Sequence, residues 1–352
     1  MNTLMQRIEL TPGYSISRVL KGGWHLAGGH GPIDPAQAIE DMKAFVEAGI
    51  TTFDCADIYT GVEELIGRFL QQYQDAFQAG DLQPVQIHTK YVPDYNALPS
   101  LTKAQTEAVI DRSLQRLGIA QLDLVQFHWW DFNIPGYVEA AGHLADLQKA
   151  GKIRHIGVTN FDAARLKELL DAGIPVVSNQ VQYSILDRRP ASDLYPLCEK
   201  HGIALLCYGS VAGGFLSDKY LNAPAPQPPF ENRSLTKYQL IIEENGGWDF
   251  FQTTLAVLRT IADRYSVGIA EVAAQWVLQQ PFVAGAIIGA RNQHHLQKLQ
   301  KLNGFSLDQD DLNAIQQRID QAQGPSGPVY DLERDKTGKH GRIMKYNLNE
   351  KK

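Results

Sequence analysis

Four side chains able to handle protons stand at or just behind short β-type runs of this chain. They are Asp54 and Tyr59 in F-D-C-A-D-I-Y, Lys90 in I-H-T-K, and His128 in D-L-V-Q-F-H. Tyr59 is the candidate acid. A free phenol, with a pKa of about 10, exchanges protons poorly near neutrality, and an adjacent ammonium favours the phenolate and lowers that value. Lys90 is assigned that part, Asp54 is the carboxylate a lysine at such a place calls for, and His128 would donate to, or orient, a carbonyl oxygen. Acting together they would protonate an alkoxide as it forms, which is general acid catalysis of carbonyl reduction. Singly, each has a plain structural explanation; it is their recurrence behind three consecutive strands that gives them weight.

The elements that must position them alternate. Strands are predicted at 19–24, 51–54, 85–90, 122–128, 153–158, 176–180, 204–208 and 284–289, several of them continuous apolar runs of the kind covered on both faces. Helical periodicity fills the spaces at 34–48, 62–73, 102–117, 136–150, 163–171, 191–200, 250–265 and 294–302. Asp34-Pro35 supplies a cap and a first-turn proline. Eight strand–helix repeats predict an α/β fold, a (β/α)8 TIM barrel, whose strand C-terminal ends share one rim. The 7–19 segment, turning at Thr11-Pro12-Gly13, reads as an N-terminal hairpin. An extra helix is predicted at 269–279. The proline-rich 222–248 segment is a long connection of the kind that serves as a lid. The 324–352 tail either folds over the barrel mouth or stays disordered, its basic run from Arg334 onward reading as solvated. One domain, 1–352, is expected.

Composition narrows the function classes. The chain has 352 residues, 44% hydrophobic, and a formal charge of −6, so it offers no general attraction to nucleic acid or an anionic membrane. Cys55, Cys198 and Cys207 are odd in number and lack metal-type spacing, which fits thiols in a reducing compartment. Met1–Leu10 has no apolar leader core, so a cytoplasmic location is expected. There is no G-x-G-x-x-G, P-loop, G-x-S-x-G or H-E-x-x-H pattern.

With its setting, the tetrad resembles the aldo-keto reductases, carbonyl reductases on a (β/α)8 barrel. The resemblance runs from the hairpin to Leu302. F-D-C-A-D-I-Y is similar to that family's D-x-A-x-x-Y, and Lys90 and His128 fall where its lysine and histidine belong. It implies hydride transfer from a nicotinamide to a carbonyl carbon, with Tyr59 as acid, Lys90 and Asp54 as its tuners and His128 as orienting group. G-V-T-N, at 157–160, is similar to G-x-S-N and implies that Thr159 and Asn160 hold the carboxamide, a grip Gln180 would complete. By the same resemblance Tyr208 stacks on the nicotinamide. The 209–216 segment, with Gly209, Ser210, Val211, Gly213 and Leu216, would meet the pyrophosphate through backbone N–H groups. I-I-G-A-R-N brings Gly289 and Arg291 to the adenosine end, where Arg291 would pair with a 2′-phosphate, favouring NADPH over NADH. Ile288 replaces the usual proline, and Lys298 and Leu299 stand where the family has Glu and Asn, so the adenine contacts are not carried over.

Trp24, Trp129 and Trp130, with Tyr95 and Phe132, are expected around the mouth as the wall for a small carbonyl or alcohol substrate. Tyr330 and Arg334 are the tail residues expected to close it. The rival expectation is a redox-sensing regulatory subunit on the same barrel, with little turnover and a partner protein.

Overall fold

A computed structural model describes residues 4–27, 31–230, 232–289 and 292–349. The N-terminal hairpin pairs β1 (Arg7–Thr11) with β2 (Tyr14–Ser17). Eight parallel strands follow: β3 (Val19–Gly22), β4 (Thr52–Asp54), β5 (Gln86–Tyr91), β6 (Leu122–Phe127), β7 (Ile153–Thr159), β8 (Val176–Gln182), β9 (Ala204–Tyr208) and β10 (Val283–Ile288). They are the eight predicted, with ends moved by one or two residues. They form a closed barrel in the order β10-β3-β4-β5-β6-β7-β8-β9. Closure is made by β10 against β3, where Ala286 meets Val19 and Ile288 meets Lys21.

The helices start where local chemistry says they should. Asp34 accepts from the amides of Ala36 and Gln37, and Pro35, which lacks an N–H, opens the Pro35–Glu47 helix. Thr102 and Gln105 bond each other's backbone reciprocally and open Lys103–Leu117. The hairpin seals one end of the barrel. Leu10, Tyr14 and Ile16 pack against Leu20, Leu124, Leu206 and Ile287 inside it, and Tyr14 Oη lies 3.1 Å from His88 Nε2. Only the strands' C-terminal ends are left for a site.

Four expectations need correcting. The 222–248 connection is not a plain loop: Asn232 caps a helix, Arg233–Asn245, and a second helix, Gly247–Tyr265, begins two residues after it ends. The prolines that suggested a loop stop at Pro229, leaving the rest free to coil. The 191–200 helix is two, Arg189–Asp193 and Tyr195–His201. Pro196 has no N–H to continue the first helix and restricts the residue before it. A further helix, Gln309–Ile319, lies beyond the last one predicted, capped by Asp308 and tied by Arg264 to Asp308 and Asp311. Finally, the basic tail is not simply solvated. It crosses the barrel mouth through the short helices Asp331–Arg334 and Lys339–Arg342. Beyond them the amides of Leu348 and Asn349 both donate to Asp94 Oδ1 at 2.8 Å. Among the described residues no helix is long and apolar enough to cross a membrane.

Candidate active site

Asp54 ends β4, Lys90 is the next-to-last residue of β5, and His128 immediately follows β6. Parallel strands in register bring the three to one rim, and the turn after β4 carries Tyr59 to it. Lys90 Nζ donates to Asp54 Oδ2 at 2.7 Å and to the Cys55 carbonyl at 2.9 Å. The same nitrogen stands 5.1 Å from the centre of the Tyr59 ring. Asp54 and Lys90 are 3% and 5% exposed, so the pair survives burial because each ion also has further partners.

On balance the phenol lies above, not below, the usual tyrosine range. Burial pushes the Tyr59 hydroxyl well above the usual tyrosine value, and Asp54, Cys55 and Asp57 push it the same way. The ammonium that was to lower it is bonded to Asp54 and Cys55 and faces the ring. Tyr59 is therefore held in its protonated, proton-donating form.

His128 also departs from expectation. Burial, and then the Arg334 charge, pull its imidazole down to about 3, so the ring is neutral near pH 7. Its Nδ1 lies 3.2 Å from the Thr159 carbonyl, which can only accept, so Nδ1 carries the proton. Nε2 is left as a bare acceptor, buried and without a hydrogen-bond partner among the described residues. Of the two roles expected, donation to a carbonyl oxygen is closed to this tautomer.

The remaining oxygen of Asp54 looks inward. Oδ1 accepts from Gln180 Nε2 at 2.6 Å and from Gln126 Nε2 at 3.1 Å, and Gln180 Nε2 also reaches Gln126 Oε1 at 2.7 Å. Gln180, expected at the nicotinamide carboxamide, thus turns its amide N–H groups into the barrel. Gln126 went unremarked in the sequence. Its signal was available, because an amide in the apolar run L-D-L-V-Q-F two residues before His128 shares the face that carries His128.

The other expected residues gather on the opposite half of the mouth. Thr159 Oγ1 donates to the Gln180 carbonyl at 3.1 Å, and Asn160, in a left-handed conformation (φ 62°), accepts from Tyr208 Oη at 2.8 Å. After β9, Gly209 and Gly213 have φ of +73° and +64°. A Cβ on either would lie 2.6 Å from Tyr238 of the Arg233–Asn245 helix, so both glycines are also required by that packing. The amides of Gly209, Ser210, Val211 and Gly213 make no backbone hydrogen bond among the described residues. Ser210 Oγ is buried without a hydrogen-bond partner among the described residues. Leu216 differs: its side chain is fully buried and its amide bonds the Val211 carbonyl at 3.2 Å, so it has no N–H to offer. Gly289 follows β10, exposed, with the His25 ring against it. Arg291 lies outside the described residues.

Two of the three tryptophans line the rim. The Trp24 ring is 5.0 Å from Tyr59, and Trp130 meets His128 edge-on at 4.5 Å. Trp129 does not. It is wholly buried beside Phe127 and Tyr137, with Nε1 bonded to the Asp131 and Ile134 carbonyls.

A second polar network covers the mouth, and most of it went unread. Arg189 donates to Asp187 at 2.7 and 2.9 Å and to Glu333 of the tail at 3.2 and 3.3 Å. Lys237, from the inserted helix, lies 3.4 Å from both Glu333 and Tyr208 Oη. Burial would push the Glu333 carboxyl up, but Lys237 and Arg189 outweigh it and hold it at about 2. Tyr330 stands over His128 at 5.7 Å, and Arg334 donates to the Asn160 carbonyl at 2.6 Å. The string Asp187-Arg188-Arg189-Pro190 behind β8 hinted at an ion pair; nothing local marked Lys237 or Glu333 as partners.

Known proteins resemble this chain in sequence and in fold. The profile of the Aldo/keto reductase family fits residues 18–320. The aldo-keto reductase YhdN of Bacillus subtilis (strain 168) is 28% identical over 327 residues, covering 90% of this chain and 95% of that protein. The NADH-specific methylglyoxal reductase of Escherichia coli (strain K12) is 27% identical over 316 residues, 81% and 90% of the two. Among solved structures, the thermostable aldo-keto reductase Tm1743, crystallised with the inhibitor epalrestat, superposes with a TM-score of 0.68 at 26% identity, over 89% of this chain and 100% of that one. The chain belongs to the aldo/keto reductase family, whose members are oxidoreductases that exchange hydride between a nicotinamide cofactor and a carbonyl or CH–OH group.

Proposed function

We propose that this chain reduces aldehydes or ketones to alcohols with NADPH, reversibly, and that Tyr59 is the general acid. The observation that carries this reading is the buried Lys90–Asp54 pair set against a protonated Tyr59, beside a His128 Nε2 with no partner among the described residues. As the carbonyl carbon gains hydride, its oxygen becomes an alkoxide, a far stronger base than a phenolate, so even a raised phenol gives up its proton downhill. Lys90 then faces the phenolate that forms and limits its cost. His128 Nε2, an acceptor, gains a partner only once the oxygen carries a hydrogen, so it favours the alcohol over the carbonyl.

The residues present fit a nicotinamide dinucleotide. Four amides at Gly209–Gly213 and the Ser210 hydroxyl, without partners among the described residues, suit a pyrophosphate. Thr159, Asn160 and the Tyr208 ring would hold the nicotinamide end, and Arg291 a 2′-phosphate. When bound, the cofactor supplies the hydride. Because one relative is named NADH-specific, the NADPH assignment needs its own test: Arg291→Ala should weaken NADPH far more than NADH, and equal losses would remove it.

The deciding experiment is steady-state NADPH oxidation over a panel of aldehydes, methylglyoxal included. A second reading, a nucleotide-binding regulatory subunit, is favoured by the cover that Tyr330, Arg334 and Glu333 place over the mouth. Tight nucleotide binding with rates near zero across the panel would select it.

A further inference from the structure

Inside the rim, the acid rests on a chain of two amides. Gln180 has two amide N–H groups, and both are used within the barrel, one on Asp54 Oδ1 (2.6 Å) and one on Gln126 Oε1 (2.7 Å). Gln126 completes the chain with its own NH2 on Asp54 Oδ1 at 3.1 Å and near the Thr89 carbonyl at 3.4 Å. The carboxylate fixes the sense of both amides, because an amide oxygen turned toward Asp54 would face like charge. Gln126 is fully buried and Gln180 nearly so. A position needed only for packing would take an apolar side chain there at lower cost.

We propose that Gln126 is a positioning residue for the acid: together with Gln180 it fixes the Asp54 carboxylate, which in turn fixes Lys90 against Tyr59. The proposal rests on Tyr59 being the acid, and it goes further in reassigning Gln180. The NH2 of Gln180 is committed to Asp54 and Gln126, so only its Oε1 remains for the cofactor's carboxamide. Gln126 acts through Asp54 and touches no reacting atom. Other titratable groups around this chain are His88 and Lys90 on β5, Cys55, Asp57 and Tyr59 after β4, His128 after β6, Tyr208 on β9 and, lower in the barrel, His155 on β7. A pH readout must therefore be compared between variants that leave all of these in place.

Two substitutions of the full chain do so, Gln126→Leu and Gln126→Glu. Each is assayed from pH 5 to 9 for kcat and KM with NADPH and 4-nitrobenzaldehyde, and for NADPH affinity by quenching of protein fluorescence. Gln126→Leu should lower kcat roughly 10- to 100-fold, the scale of a hydrogen bond lost to a charged group. It should displace the pH profile and leave NADPH affinity within about twofold. In Gln126→Glu the introduced carboxyl, while protonated, still donates to Asp54, so kcat should lie near wild type at low pH. As pH rises the two carboxyls repel, and kcat should fall away progressively, a limb absent from the wild type. A wild-type kcat and profile in Gln126→Leu, or a Gln126→Glu profile parallel to wild type, overturns the proposal. So does a loss of NADPH affinity matching the loss of kcat. Should Gln126→Leu not fold, the isosteric glutamate profile decides alone. A wild type inactive across the whole aldehyde panel defeats the reading of Tyr59 and this inference with it, whereas an active wild type with unmoved variants defeats the inference alone.

Discussion

Two buried polar networks meet at the barrel mouth, and they are built differently. The inner one, Asp54, Lys90, Gln126 and Gln180, is carried on β4, β5, β6 and β8, and its geometry is set by strand register. The outer one, Asp187, Arg189, Lys237 and Glu333, is assembled from the segment after β8, the inserted helix and the tail. The inner network can hold its shape without the outer, because the closed sheet holds it. The outer exists only when three distant segments dock. Under the proposed function, proton chemistry falls to the first and control of access to the second.

The sharpest way to break this comparison is at Tyr59. Tyr59→Phe keeps the ring against Trp24 and Lys90 and removes only the hydroxyl, and with it the proton to be given. It should lower kcat by roughly 10²- to 10⁴-fold, the usual weight of a general acid, with NADPH affinity and thermal midpoint little changed. Retained turnover would move the acid elsewhere on the rim.

Glu333→Ala attacks the outer network. It leaves the buried Arg189 and the partly buried Lys237 with one remaining carboxylate, Asp187, and uncompensated burial of charge costs about 3–5 kcal/mol. The midpoint of chemical denaturation should drop accordingly, while kcat at saturating substrate stays within an order of magnitude. A loss of kcat as deep as that of Tyr59→Phe would show that the cover takes part in the chemistry.

This contrast also explains what the sequence made legible. The eight strands could be read because both-face burial writes itself as apolar runs, and Asp54, Tyr59, Lys90 and His128 could be read because each ends or follows one. Glu333 carries no such mark. It sits between Leu332 and Arg334 in a mostly charged stretch, and its burial depends on a docking that no local pattern encodes. The tautomer of His128 was equally out of reach, since it is set by the Thr159 carbonyl of another strand. Trp129 and Gln180 were legible in position but not in direction: a residue at a strand end may be named from sequence, yet which way its side chain turns is settled by neighbours. The Arg233–Asn245 helix was missed for a simpler reason, four prolines just upstream.

A milder perturbation is acid. Burial, ahead of nearby cations, lowers His128 and His88 to about 3, against an unfolded value near 6.5. A histidine depressed on folding contributes stability that is complete above pH ~6.5 and is lost as pH falls toward its folded value, at up to about 1.4 kcal/mol per pH unit for each. The thermal midpoint should therefore decline from pH 6.5 to 4, and His88→Asn, in the barrel interior, should flatten that decline. An unchanged slope in His88→Asn would show that the acid-sensitive groups sit in the cover instead.

Arg334 touches both halves and should give the smallest effect. Its guanidinium rests on the Phe132 ring at 4.2 Å and donates to the Asn160 carbonyl at 2.6 Å and, more loosely, to the Trp129 carbonyl at 3.4 Å. It is thus the point at which the tail holds the backbone beside Tyr208 and His128. Arg334→Ala removes one good charged hydrogen bond at a partly exposed site, worth about 1–2 kcal/mol. If the outer network governs access alone, KM for the carbonyl substrate should change several-fold, because the tail is loosened where substrate must enter. kcat should change less, because Lys90, Asp54 and Tyr59 keep their bonds. The variant also withdraws the cation that, after burial, does most to depress His128, so a kcat profile that gains a new limb between pH 4 and 6 would mean that Arg334 reaches the acid–base chemistry through His128. In that event the boundary between the two networks runs through His128, with the tail on the chemical side of it.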